Sequence, residues 1–129
     1  MSRSDPRPLR FDAWLAQEYA MKGDFTALAV LLSIGEANVT PLRSTWFHVI
    51  GDDIGWAQVA AMLSGAGAAW DGVVIAPLRA DKGGPVEDIR ARYELKLLGE
   101  SLIADRMLLN GHHFFDRKGR RLRIEEAAP

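Results

Sequence analysis

A chain of 129 residues, 48% hydrophobic and 26% charged, is enough for one globular domain that buries a core without staples. Its formal net charge of −1 supplies no global field to recruit nucleic acid or a membrane surface. It has no cysteine, which excludes disulfides, thiolate metal sites and cysteine nucleophiles.

Residues 1–10 carry Arg3, Arg7 and Arg10 with Pro6 and Pro8, and read as a flexible arm. The opening MSRSDPRPLRFDAW lacks the apolar core of a secretory signal. No apolar run approaches the roughly 20 residues of a membrane helix. The expectation is a cytoplasmic protein with no membrane contact. Residues 11–126 are expected to form a single α/β domain, with 127–129 as a tail.

Asp12 can cap a helix from Ala13 to Lys22 that Gly23 ends. Phe11, Trp14, Leu15 and Tyr19 form its apolar face. Asp24 can then start a second helix, Phe25–Ile34, with the sequence FTALAVLLSI. That stretch is apolar nearly all round, so it is buried on several sides or lies in an interface. It is also short enough for a buried strand, but its alanines and leucines favour helix. Residues 36–44 read as a loop containing Pro41.

Thr45–Leu78 reads as a βαβ unit. Thr45–Ile50 is rich in aromatic and β-branched residues, and Gly51 allows a sharp exit. Asp52 or Asp53 is placed to cap a helix whose buried face holds Trp56, Val59, Ala60 and Leu63. The second strand, Val73–Pro77, is a continuous apolar run, as in a strand covered on both faces. A helical connection between the two suits a parallel crossover.

Pro85 can open a long helix ending near Leu109. Val86, Ile89, Tyr93, Leu97, Ala104, Met107 and Leu108 line one face. Leu95, Leu98, Leu102 and Leu109 line nearly the opposite one. One face can lie on a sheet. The other needs the N-terminal helices or a second copy of the chain. Phe114-Phe115 and Leu122–Ile124 flank a turn with Gly119 and read as a β-hairpin. The expected fold class is α+β (α/β-like): two N-terminal helices, then β-α-β-α-β-β with a mixed four-stranded sheet and a C-terminal hairpin. That order is similar to a thioredoxin-like core lacking its last helix. Without Cys-x-x-Cys it implies no redox activity.

Two places carry candidate chemistry. Parallel strands bind ligands beyond their carboxyl ends. Here those ends carry Asp52 and Asp53 after the first strand, and Arg79, Lys82 and a glycine pair after the second. An anionic small molecule on Arg79 and Lys82 is one reading, and a metal on Asp52 and Asp53 another, weakened because adjacent side chains point apart. A cap at Asp52 or Asp53 and a locally shaped loop is the plainer one. The second place is the hairpin, where Arg117, Lys118, Arg120, Arg121 and Arg123 cluster beside Phe114 and Phe115. Such a cluster can hold a phosphate backbone or stack a base. It can equally protect an edge from aggregation by charge, and the net charge argues against strong nucleic-acid binding.

Neighbouring His112 and His113 face opposite sides of a strand, which argues against a shared metal. There is no phosphate-binding glycine motif and no nucleophile elbow. No cofactor and no metal are expected, and the chain leans away from catalysis. The leading expectation is a non-catalytic binding or assembly module that forms a homo-oligomer, a dimer, or takes a protein partner. The alternatives are nucleic-acid binding by the hairpin and an anion-binding enzyme at the strand ends.

Overall fold

The stretch Phe25–Ile34 is a strand, β1, in the interior of a four-stranded sheet, and not the expected second helix. This computed structural model describes residues 9–35, 38–51 and 53–123. One helix, α1 (Phe11–Lys22), precedes β1. After β1 come β2 (Val39–Val49), α2 (Trp56–Ser64), β3 (Gly72–Leu78) and α3 (Asp88–Ala104). A 3-10 segment, Arg106–Gly111, leads into β4 (His113–Asp116).

The sheet order is β2-β1-β3-β4, and every pair is antiparallel. The expected mixed sheet is therefore corrected to an all-antiparallel one. The reason is β1. Strands β2 and β3 do run in the same direction, but β1 lies between them and pairs with both. The β2-α2-β3 crossover steps over a strand, so it contains no parallel pair, and the thioredoxin-like order does not hold.

Helix propensity lost to burial at β1. Residues Phe25 to Leu32 are all buried, on alternating sides of the sheet. Phe25, Ala27, Ala29 and Leu31 face a layer built from Phe11, Trp14, Leu15, Val59 and Leu63 of α1 and α2. Leu28, Val30 and Leu32 face Ala91, Leu95, Leu98 and Leu102 of α3. The chain is three layers: α1 with α2, the sheet, and α3. A continuous apolar run suits a strand with a core on each side.

β2 begins well before the expected Thr45. Pro41 pairs with Leu32 inside the strand, and the register slips between Leu31 and Leu32, so Leu42 is bulged. Proline is tolerated there because β2 is an edge strand with one side unpaired. The long helix is shorter than expected. It ends at Ala104, and Asp105 caps the 3-10 segment by accepting from Met107 N–H at 3.0 Å.

The caps differ too. The Asp12 carboxylate accepts from Trp56 N–H at 2.7 Å, so it caps α2 and ties α1 to it. Gln58 Oε1 accepts from Gly55 N–H at 2.7 Å at the same helix end. Asp24 accepts from Gly51 N–H at 3.0 Å.

The hairpin turn is present. Gly119 has φ 77°, and Asp116 accepts from the N–H groups of Lys118 and Arg120 at 2.8 and 2.9 Å. The return arm is one bridge, Phe115 to Arg121, with Leu122 N–H on Phe114 O. Ile124 and the arm residues 1–8 lie outside the described residues. No described helix is long and apolar enough to cross a membrane.

Gly119 is fixed twice, by its positive φ and by the Trp56 ring, which a Cβ would approach to 2.8 Å. Gly119→Ala is expected to destabilise the fold by roughly 2 kcal/mol or more in urea unfolding. Gly99 sits in α3 with open space where a Cβ would go. Gly99→Ala is expected to stabilise by about 0.5–1 kcal/mol in the same measurement.

Candidate functional site

The carboxyl ends of β2 and β3 share one edge of the sheet, beside the first residues of β1: Val49 pairs with Phe25 and Leu78 with Thr26. The α1–β1 corner fills much of the space between their loops. Arg79 turns into it. Its Nη1 donates to Glu18 Oε2 at 2.6 Å, its Nη2 to Gly23 O at 2.8 Å, and its guanidinium lies 4.7 Å from the Phe25 ring centre. Both Arg79 and Glu18 side chains are mostly buried. Arg79 thus fastens α1 to the end of β3. Lys82 is exposed in the following loop. Asp53 is exposed and borders a hollow of about 240 Å³ with Asp12 and Gln58. Asp52 lies outside the described residues.

The basic hairpin is largely engaged with its own chain. Arg120 Nε donates to Asp116 at 2.7 Å. Arg117 lies over the Trp70 ring at 5.3 Å. Arg121 lies over Phe115 at 4.6 Å and donates to Leu9 O and to His113 Nδ1, at 3.2 and 3.1 Å. Arg117, Lys118, Arg120 and Arg123 are nonetheless exposed, and Arg121 is half-buried.

His112 and His113 do face opposite sides. His112 lines a groove on the α3 side with Leu97 and Leu108. His113 stacks on Trp14, ring centres 4.5 Å apart, on the α1 side. Burial first, then the neighbouring Arg121 charge, lowers the His113 pKa to about 4, against an opposing pull from Glu18. Burial pushes the Asp116 carboxyl up, but hydrogen bonds from Arg120 and Lys118 outweigh it and hold that group below its ordinary value.

One arrangement had no signal in the sequence, because β1 read as a helix. Thr26 Oγ1 is 2.9 Å from His48 Nδ1, and His48 Nε2 is 3.9 Å from Asp88 Oδ1. Hydroxyl, imidazole and carboxylate in this order are the parts of a nucleophilic triad. However, Thr26 is 0% exposed, and its hydroxyl accepts from Val86 N–H at 3.0 Å. No substrate reaches it. The chain of bonds pins the loop before α3 to the sheet. Among the described residues, no three His, Asp or Glu side chains are grouped to hold a metal.

The remaining feature is the outer surface of α3. Ile89, Tyr93 and Ile103 are 77%, 60% and 70% exposed, with Leu97 beside them. Ile89, Tyr93 and Leu97 belong to one of the two apolar faces expected from the sequence; Ile103 was in neither, and Val86 of that face is buried. The face on the sheet is Ala91, Leu95, Leu98 and Leu102. Leu97 also borders the groove, of about 330 Å³, that Ala76, Pro77 and Leu78 floor. No known protein family matches the chain, and no curated protein or solved structure matches it.

Removing Arg79 leaves the Glu18 carboxylate unpaired in a mostly buried place. Arg79→Ala is expected to cost about 2–3 kcal/mol in chemical unfolding, and Arg79→Lys to recover only part of it. The His113 pKa is depressed on folding, so protonation favours the unfolded chain. Its contribution is fully present above pH 6.5 and is lost as pH falls toward about 4. Asp116 acts in a lower window, below its ordinary value of 3.8. His113→Asn keeps an acceptor for Arg121 and cannot titrate. Unfolding curves between pH 7 and 4 are expected to show a shallower decline for this variant.

Proposed function

We propose that the protein is a non-catalytic assembly module that associates with itself through the outer surface of α3. The exposed apolar side chains Ile89, Tyr93, Leu97 and Ile103 on a helix whose other face already covers the sheet carry this reading. A helix with two apolar faces needs two covers. The N-terminal helix was one candidate for the second cover. It packs on the opposite side of the sheet, against Phe25, Val73 and Phe115. Among the described residues no other α-helix lies on this side of the sheet, and a second copy is the cover this reading assigns. Withdrawing each large apolar side chain from water contributes about 1.5–3 kcal/mol at full burial. Several such residues on one helix give a surface that favours association over solution.

The surroundings fit a binding surface better than a reaction site. The hydroxyl of the triad-like arrangement is buried, and Arg79, Arg120 and Arg121 are engaged with groups of their own chain. Light scattering over a concentration series tests the reading. The chain is expected to form a dimer at micromolar concentration. Tyr93→Lys combined with Ile103→Lys is expected to give a monomer with unchanged far-ultraviolet circular dichroism, since neither side chain is buried in the fold. A wild-type chain that stays monomeric at high micromolar concentration overturns the proposal. So does a double variant that associates as tightly as the wild type.

A further inference from the structure

The first turn of α1 and the hairpin turn are fastened to each other. Phe11 N–H donates to Gly119 O at 2.9 Å, and Arg121 Nε donates to Leu9 O at 3.2 Å. These bonds bring Arg10 against the hairpin, with its Nη2 3.4 Å from Lys118 O. The fold thus adds a cation 108 residues away in sequence to Arg117, Lys118, Arg120, Arg121 and Arg123. Arg10 and Lys118 line a hollow of about 460 Å³ between the two elements, beside Trp56 and Ala57. Asp12 is the carboxylate on its wall, and it is already bonded to Trp56 N–H at 2.7 Å.

The charges of this corner are unevenly met. Arg120 is paired with Asp116, and Arg121 is bonded to Leu9 O and His113. Arg10, Arg117, Lys118 and Arg123 are exposed, and none has an ion pair with a carboxylate among the described residues. The contact with the Trp70 ring holds Arg117 without using its N–H groups. Like charges gathered in this way repel one another, and a polyanion relieves that repulsion. Protection of a sheet edge explains charge along a hairpin. It does not explain Arg10, which belongs to the start of α1 and reaches the turn only through the fold. The net charge of −1 is a sum over the whole chain. A local field acts within a Debye length of about 8 Å, and within that range the cations of this corner dominate.

We propose that this corner binds the phosphate backbone of nucleic acid, with Arg10 and Lys118 holding one phosphate across the hollow and Arg117 and Arg123 extending the contact to flanking phosphates. Arginine suits phosphate because its planar fork donates two parallel N–H groups to one anionic group. The contacts are to charge, so binding is independent of base sequence. The corner lies apart from α3, which covers the opposite face of the sheet from α1, so this surface and self-association through α3 stand or fall separately.

Fluorescence anisotropy with a labelled single-stranded DNA of about 20 nucleotides tests the surface, and RNA and duplex DNA of the same sequence show which form it prefers. About four phosphate contacts make single-strand affinity about 50-fold weaker at about 200 mM salt than at about 50 mM. Arg10→Gln combined with Lys118→Gln is expected to weaken binding about tenfold or more at the lower salt. It is also expected to halve the slope of log affinity against log salt. A loss of folded protein lowers the apparent affinity but leaves that slope unchanged. Lys22→Gln, an exposed position at the other end of α1, is expected to change affinity less than about twofold. No binding at the lower salt overturns the proposal, as does a double variant with the wild-type slope. Polyglutamate or vesicles of anionic phospholipid that bind as tightly as the oligonucleotides assign the corner to acidic protein or to membrane, and overturn it too.

Discussion

β1 has no side facing solvent, so the chain must supply a cover for each of its faces and a partner for each of its edges. Those four demands account for most of the architecture. β2 and β3 close the edges. Helices α1 and α2 cover one face, and α3 covers the other. Buried backbone donors and acceptors must be paired, and an interior strand meets that requirement only when both neighbours are in place. The contribution of β1 to the core is therefore shared between two layers, as are those of β3 and β4.

How much of this was legible follows from what periodicity can resolve. Apolar spacing located α1, α2 and α3, and the alternation around Gly119 located the hairpin turn. The two faces of α3 were visible because apolar side chains recur at helical spacing on both. FTALAVLLSI was not readable in the same way. A short run with no polar residue has no phase, so a buried strand and a buried helix look alike. Its leucines and alanines then pointed to helix, and tertiary burial overrode them. Pro41 misled for a related reason. It terminates an interior strand but not an outer one, and strand position in a sheet is not written in local sequence.

The candidate sites were harder to read. A sequence shows charge without depth. Arg79 and Arg121 were read as cations facing a ligand, yet both are turned inward as fasteners between layers. Asp12 reads as a cap for its own helix, and it caps a helix far along the chain. For Arg79 and Asp12 the partner is distant in sequence, so spacing rules had nothing to act on. The outer face of α3 was legible because it depends only on residues within one helix.

The placement of β1 between β2 and β3 also bears on how the chain is made. The β1–β2 pair is local and can form early. The second edge of β1 finds its partner only after α2 and β3 have been synthesised. Until then the most apolar strand in the chain is half-closed, with one edge able to accept any extended segment nearby. Non-local pairing of this kind slows folding and leaves an interval open to misassembly. The strand that makes the finished domain cohesive is thus the segment most in need of protection while the domain is being built.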